Sequence, residues 1–79
     1  MTMNNNNFET TDLGLAASLT ACGFKVTAVD KSNPRRVIFW FENTPELISK
    51  VEQFWSQELL LPASLILEQI RQLKARIYS

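Results

Sequence analysis

The sequence predicts an α+β domain in the order α-β-β-α-α, an antiparallel β-hairpin packed with three helices. Three observations predict it. Apolar residues recur at helical spacing in three stretches. Two stretches of alternating character flank the turn-forming run Asp30-Lys31-Ser32-Asn33-Pro34. Residues suited to helix starts and stops stand at the boundaries. A length of 79 residues allows one domain. We divide it into a flexible polar N-terminal segment, residues 1–9, and a single domain, residues 10–79.

The lead carries four consecutive asparagines, Asn4 to Asn7, a run too short to count as low complexity. Thr10, Thr11 and Asp12 can each cap a first helix, because a side-chain oxygen accepts from an orphan N–H of the first turn. Leu13, Ala16, Ala17 and Thr20 fall on one side of that helix, and Leu15, Leu19 and Cys22 on the adjacent side. So broad an apolar face predicts a largely buried helix. Gly14 weakens it by up to about 1 kcal/mol relative to alanine. Gly23 is its stop: glycine takes the left-handed conformation past a helix end without strain, and Phe24 then folds back on Leu19.

The first strand is expected over residues 24–29, with Phe24, Val26 and Ala28 on one face and Lys25, Thr27 and Val29 on the other. The second is expected over residues 36–42, with Val37, Phe39 and Phe41 opposite Ile38 and Trp40. A short loop between them makes a hairpin. Thr44-Pro45-Glu46 opens the second helix: Thr44 caps it, Pro45 needs no N–H at the first position, and Glu46 suits the positive dipole end. That helix is expected to run to about Gln57, with Leu47, Val51, Phe54 and Glu58 in one row and Ile48 and Trp55 beside it. Leu59-Leu60-Leu61 is an apolar link, and Pro62 ends it. The third helix is expected over residues 63–77. Ile66, Ile70, Leu73 and Ile77 form its seam, Leu65 and Leu67 widen it, and Arg71, Lys74 and Arg76 favour the negative dipole end.

The chemistry that is missing narrows function. There is no histidine, which removes the usual general base near neutral pH and the commonest metal ligand. With one cysteine and no histidine, a structural zinc site within one chain is not expected. Gly14 and Gly23 are the only glycines and fit no phosphate-binding loop. Glu42 and Glu46 are a close acidic pair, and capping explains them. We therefore expect no enzyme, no cofactor, no metal and no small-molecule substrate. Cys22 reads as a small buried hydrophobe, and a chain without disulfides suits the cytoplasm. The start of the sequence has neither the basic nor the apolar region of a secretory signal. No apolar stretch approaches the ~18 residues that cross a bilayer, so no membrane role is expected. Eight basic and eight acidic residues cancel, leaving no general attraction to nucleic acid.

Four surfaces are candidates for binding. The hairpin edge carries unpaired backbone groups, which a second copy would pair or the N-terminal segment would shield. Trp40 lies at the core margin if both sheet faces are covered; otherwise it forms a sticky face with Ile38 and Val29. Lys25, Lys31, Arg35 and Arg36 surround the hairpin and, with Trp40 as a stacking platform, form a candidate nucleic-acid patch; a solvated turn explains the same cations. The seam Ile66, Ile70, Leu73 and Ile77 is a core face or, if left open, a helix-helix interface. Ile38 and Trp40 together with that seam form the candidate protein interface.

Thr11-Asp12-Leu13, Leu15-Ala16-Ala17 with Leu19, Gly23-Phe24, Phe39 with Phe41, Pro45-Glu46-Leu47 and Leu73-Lys74 are the residues of a wider likeness. Over roughly Phe8 to Ile77 the chain resembles a family of short proteins found in bacteria, plasmids and phages and described only as a domain of unknown function. The motifs are core and capping residues, so the resemblance implies a shared fold and carries over no catalytic residue. The family's distribution implies an accessory role near mobile DNA. The function expected is a non-enzymatic interaction module that docks to itself, as a homodimer, or to another protein. The alternatives are a nucleic-acid-binding accessory protein using the basic hairpin and a small inhibitor of a larger enzyme.

Overall fold

The computed structural model describes residues 7–78 in the order β-α-β-β-α-α. It retains the expected α+β class, hairpin and three helices, and adds one strand. Strand β1 spans Asn7–Thr10 and pairs antiparallel with the second hairpin strand. Residues 7–9 were expected in a flexible segment; they are instead strand. Phe8 and Thr10 turn towards the interior, and Asn7 and Glu9 lie exposed. The rest of that lead, residues 1–6, lies outside the described residues.

Helix α1 spans Leu13–Ala21. Asp12 caps it: its carboxylate accepts from the Leu15 N–H at 3.1 Å, while the Asp12 N–H donates to the Thr10 hydroxyl at 3.0 Å. These two bonds tie the end of β1 to the start of α1. A Cβ at Gly14 would stand 3.3 Å from that capping oxygen and 3.9 Å from the Phe54 ring. The helix ends at Gly23, whose φ is +101°. The Phe24 N–H donates to the Leu19 carbonyl at 3.1 Å and the Gly23 N–H to the Thr20 carbonyl at 3.0 Å. This is the double bond pattern of a Schellman motif.

Strands β2, Val26–Asp30, and β3, Ile38–Glu42, form the hairpin. The sheet order is β1-β3-β2, both pairs antiparallel, so β3 is central. A bulge corrects the expected alternation in β2. Val26 pairs with Phe41 and Ala28 with Trp40, leaving Thr27 as the extra residue. The Thr27 hydroxyl donates to the Trp40 carbonyl at 3.2 Å across the bulge. Beyond it the faces exchange: Val29 pairs with Phe39 and turns inward against the core, and Ala28 turns outward. Val29 is therefore not part of an outer apolar face.

Helix α2 spans Pro45–Trp55, with the Thr44 hydroxyl accepting from the Leu47 N–H at 3.1 Å. It stops two residues short of the expected Gln57, because Gln57 has a φ of 65° and reverses the chain. Helix α3 spans Ala63–Ile77, as expected, with no side-chain cap at Pro62.

The core is built from Leu15, Leu19, Phe39, Phe41, Leu47 and Leu73, together with Ala16, Ala17 and Val51. Helix α1 supplies more of it than any other element and lies against both α2 and α3. Its small Ala16 and Ala17, both fully buried, let the neighbours approach. Phe39 and Phe41 reach it from one face of the sheet. No helix among the described residues is long and apolar enough to cross a membrane.

Candidate docking face on the sheet

All the helices draw on one face of the sheet. On β3 that face carries Phe39 and Phe41, buried, and the opposite face carries Ile38 and Trp40, half-buried, and Glu42, exposed. Ile38 and Trp40 neither belong to the core nor pack against it. Their register partners on that face come from the two outer strands. Trp40 stands between Glu9 on β1 and Ala28 on β2, its partners in register; Ile38 faces Asp30. A shallow depression of about 250 Å³ beside Trp40 is lined by Asn7, Thr27 and Ala28. The structure places Trp40 half-buried on the sheet face opposite the core, with Ile38 and without Val29.

The charges on this face are placed unevenly. Trp40 has two ionisable residues as immediate neighbours, Glu9 across the ladder and Glu42 two residues along β3, both acidic and exposed. Among the described residues neither makes an ion pair. Asp30, at the hairpin end, accepts from the Ser32 N–H at 2.9 Å. The Ser32 backbone bond, and behind it the Ser32 side chain, hold its carboxyl below the usual range, so it stays ionised. Cations lie farther out. Arg36 shares a depression of about 390 Å³ with Glu9 and Ile38. Lys25 shares one of about 490 Å³ with Glu42 and Glu46.

The structure divides the expected basic patch, leaving Lys31, Arg35 and Arg36 in the turn between β2 and β3 and Lys25 at the far end of β2. Lys25 precedes β2 and Lys31 follows it, so the length of that strand separates them, about 20 Å at the usual rise. The Lys31 ammonium donates to the Arg76 carbonyl at 3.2 Å, a cation placed on the negative end of α3. Arg35 and Arg36 belong to the turn, where the Arg35 N–H donates to the Asn33 side chain at 3.0 Å and the Arg36 N–H to the Asn33 carbonyl at 2.9 Å. Trp40 faces carboxylates rather than these cations.

The α3 seam is also placed inward. Leu73 is 3 % exposed, and Ile66, Ile70 and Ile77 are half-buried against the core. Of the candidate interface residues, these four form a core face, which withdraws them from an open surface. Cys22 is half-buried and unpaired.

Three exposed apolar side chains were not expected. Trp55 is 61 % exposed, Leu60 90 % and Leu67 60 %. The expectation that Trp55 sits beside the buried row fails because α2 ends there, and its ring packs edge-on against Phe54 at 5.0 Å instead. The signal was present: three consecutive leucines in an aperiodic link cannot all turn inward.

Comparison with known proteins adds one finding. The family model described as Domain of unknown function (DUF5659) matches residues 5–79. No curated protein and no solved structure matches the chain.

Proposed function

We propose that this chain, which belongs to the family described as Domain of unknown function (DUF5659), is a non-enzymatic accessory module that docks another protein on the open face of its sheet. One observation carries the reading. Ile38 and Trp40, both half-buried, project from the central strand to the face opposite Phe39 and Phe41, and they are not among the residues packed against the core. A large aromatic held at the centre of a rigid sheet, rather than on a loop, is a preorganised anchor for an interface. The absence of histidine from the sequence speaks for docking rather than catalysis.

A different protein is the better partner than a second copy. Strand β1 covers one of the two hairpin edges on which self-pairing was expected, and the α3 seam faces inward. The nucleic-acid alternative loses support because carboxylates, not cations, flank Trp40. A reducing compartment, the cytoplasm, suits the unpaired Cys22.

Site-specific photo-crosslinking in cells tests the reading. The crosslinking residue p-benzoylphenylalanine is placed at Trp40 and, as a control, at Ala75, exposed on α3. We expect a discrete adduct with another protein from position 40 and none from position 75. No adduct at 40, or the same adducts from both positions, would overturn the docking face.

A further inference from the structure

We infer that the open sheet face receives a protein segment that lays an arginine or lysine side chain on Trp40 between Glu9 and Glu42, with apolar residues of the same segment on Ile38 and Ala28. The inference rests on the docking reading and specifies the partner's chemistry. Three placements carry it. Glu9 and Trp40 are partners in register on neighbouring strands, and Glu42 lies two residues from Trp40 on the same strand face. Directly opposed residues of a ladder stand about 5 Å apart and alternate residues of a strand about 7 Å apart, which sets one carboxylate across the ladder from the indole and the other along its strand. Ile38 and Ala28 continue the face as apolar ground.

An aromatic ring attracts a cation over its face, most often arginine, within about 6 Å of the ring centre. The two carboxylates add ordinary charge attraction to the same spot and lack an ion-pair partner of their own among the described residues. Arginine suits the site better than lysine, because its planar guanidinium can stack on the indole while its edge donates to a carboxylate. A second copy fits poorly. Two such faces brought together would oppose acidic groups around the same anchor, and like charges across an interface disfavour association.

Peptide selection on the intact chain tests this. Random twelve-residue peptides on phage are selected against the wild-type protein and counter-selected against Trp40→Ala. The recovered peptides are then measured on Glu9→Lys/Glu42→Lys and on Glu58→Lys, a control in the turn after α2. Circular dichroism verifies that each variant folds, and if Trp40→Ala does not, Trp40→Val, which removes the ring and keeps strand propensity, takes its place as the counter-selection. We expect peptides rich in arginine or lysine beside apolar residues. Their binding falls about tenfold or more on the charge-reversed pair, holds on the Glu58 variant, and weakens with salt. Peptides that need Trp40 but carry no basic enrichment, or that ignore the charge reversal, overturn this inference and leave the docking face standing. Failure to recover any peptide that distinguishes wild type from the counter-selecting variant overturns both. A wild-type dimer in light scattering that the charge reversal strengthens also overturns it, by naming the second copy as occupant.

Discussion

Gly23 and Gln57 hold the same place in two helix ends: each is the first residue past the cap, and each has a positive φ, 101° and 65°. Both ends also share their bonds. After α2 the Glu58 N–H donates to the Gln53 carbonyl at 2.9 Å and the Gln57 N–H to the Phe54 carbonyl at 3.2 Å, repeating the pattern after α1. Only one of the two is glycine. Gln57→Gly should therefore raise stability by up to about 1 kcal/mol, by relieving left-handed strain at a β-carbon. Gly23→Ala should lower it by about 1–2 kcal/mol, and for backbone reasons alone, since nothing lies within 4 Å of an added Cβ. Urea unfolding should show the two midpoints moving in opposite directions at unchanged slope. A loss of stability in Gln57→Gly would mean that its side chain does something the helix end does not explain.

Asp30 gives a pH prediction. Its carboxyl sits below the usual range because the Ser32 N–H, first, and the Ser32 side chain, second, favour the ionised form. A depressed folded value means that any stabilisation is present above the unfolded value and is lost as pH falls through the folded one. Stability should thus be flat across neutral pH with respect to this group and fall only in acid. Ser32→Ala removes the lesser cause. NMR titration of the Asp30 carboxyl should show its midpoint rise part of the way towards the ordinary carboxylate value. A midpoint already ordinary in the wild type would remove the turn's hold on the carboxylate.

Leu73 and Leu67 lie on the same helix with opposite fates, 3 % and 60 % exposed. Leu73→Ala should cost about 2–5 kcal/mol, since it leaves a cavity where α3 meets the core, and in a domain this small that is a large share of the stability. Leu67→Ala should change stability by less than about 0.5 kcal/mol. Equal losses in chemical denaturation would contradict the inward placement of the seam.

The helices were legible because their signals are local. Asp12, Thr44 and Gly23 each make the bonds their residue types favour, and the spacing of Ile66, Ile70, Leu73 and Ile77 marks the inner face of α3 within the bounds Ala63–Ile77. What escaped was non-local. Asn-Phe-Glu-Thr has one large apolar residue and a poor strand composition; it becomes β1 because β3 offers a row of backbone groups to pair. The Thr27 bulge shifts Val29 inward, and nothing in Val-Thr-Ala-Val-Asp announces an extra residue. Trp40 was recognised, but its neighbour Glu9 comes from the strand that was missed, so the acidic character of the face became readable only with the sheet order.

That same strand sets the last prediction. Deleting residues 1–10 removes β1 and exposes the β3 edge along Ile38–Glu42, a run of Ile-Phe-Trp-Phe-Glu with strong strand character. It also removes the Thr10 hydroxyl that holds the Asp12 N–H at the start of α1. The truncated chain should lose stability and self-associate, because an uncovered aromatic strand pairs with the nearest available edge. Light scattering behind size exclusion should give a single-chain mass for the intact protein and a larger, concentration-dependent mass for the truncated one. A truncated chain that stays monomeric and as stable as the intact one would show β1 to be a passive cover, and would leave Glu9 as that strand's one contribution to the docking face.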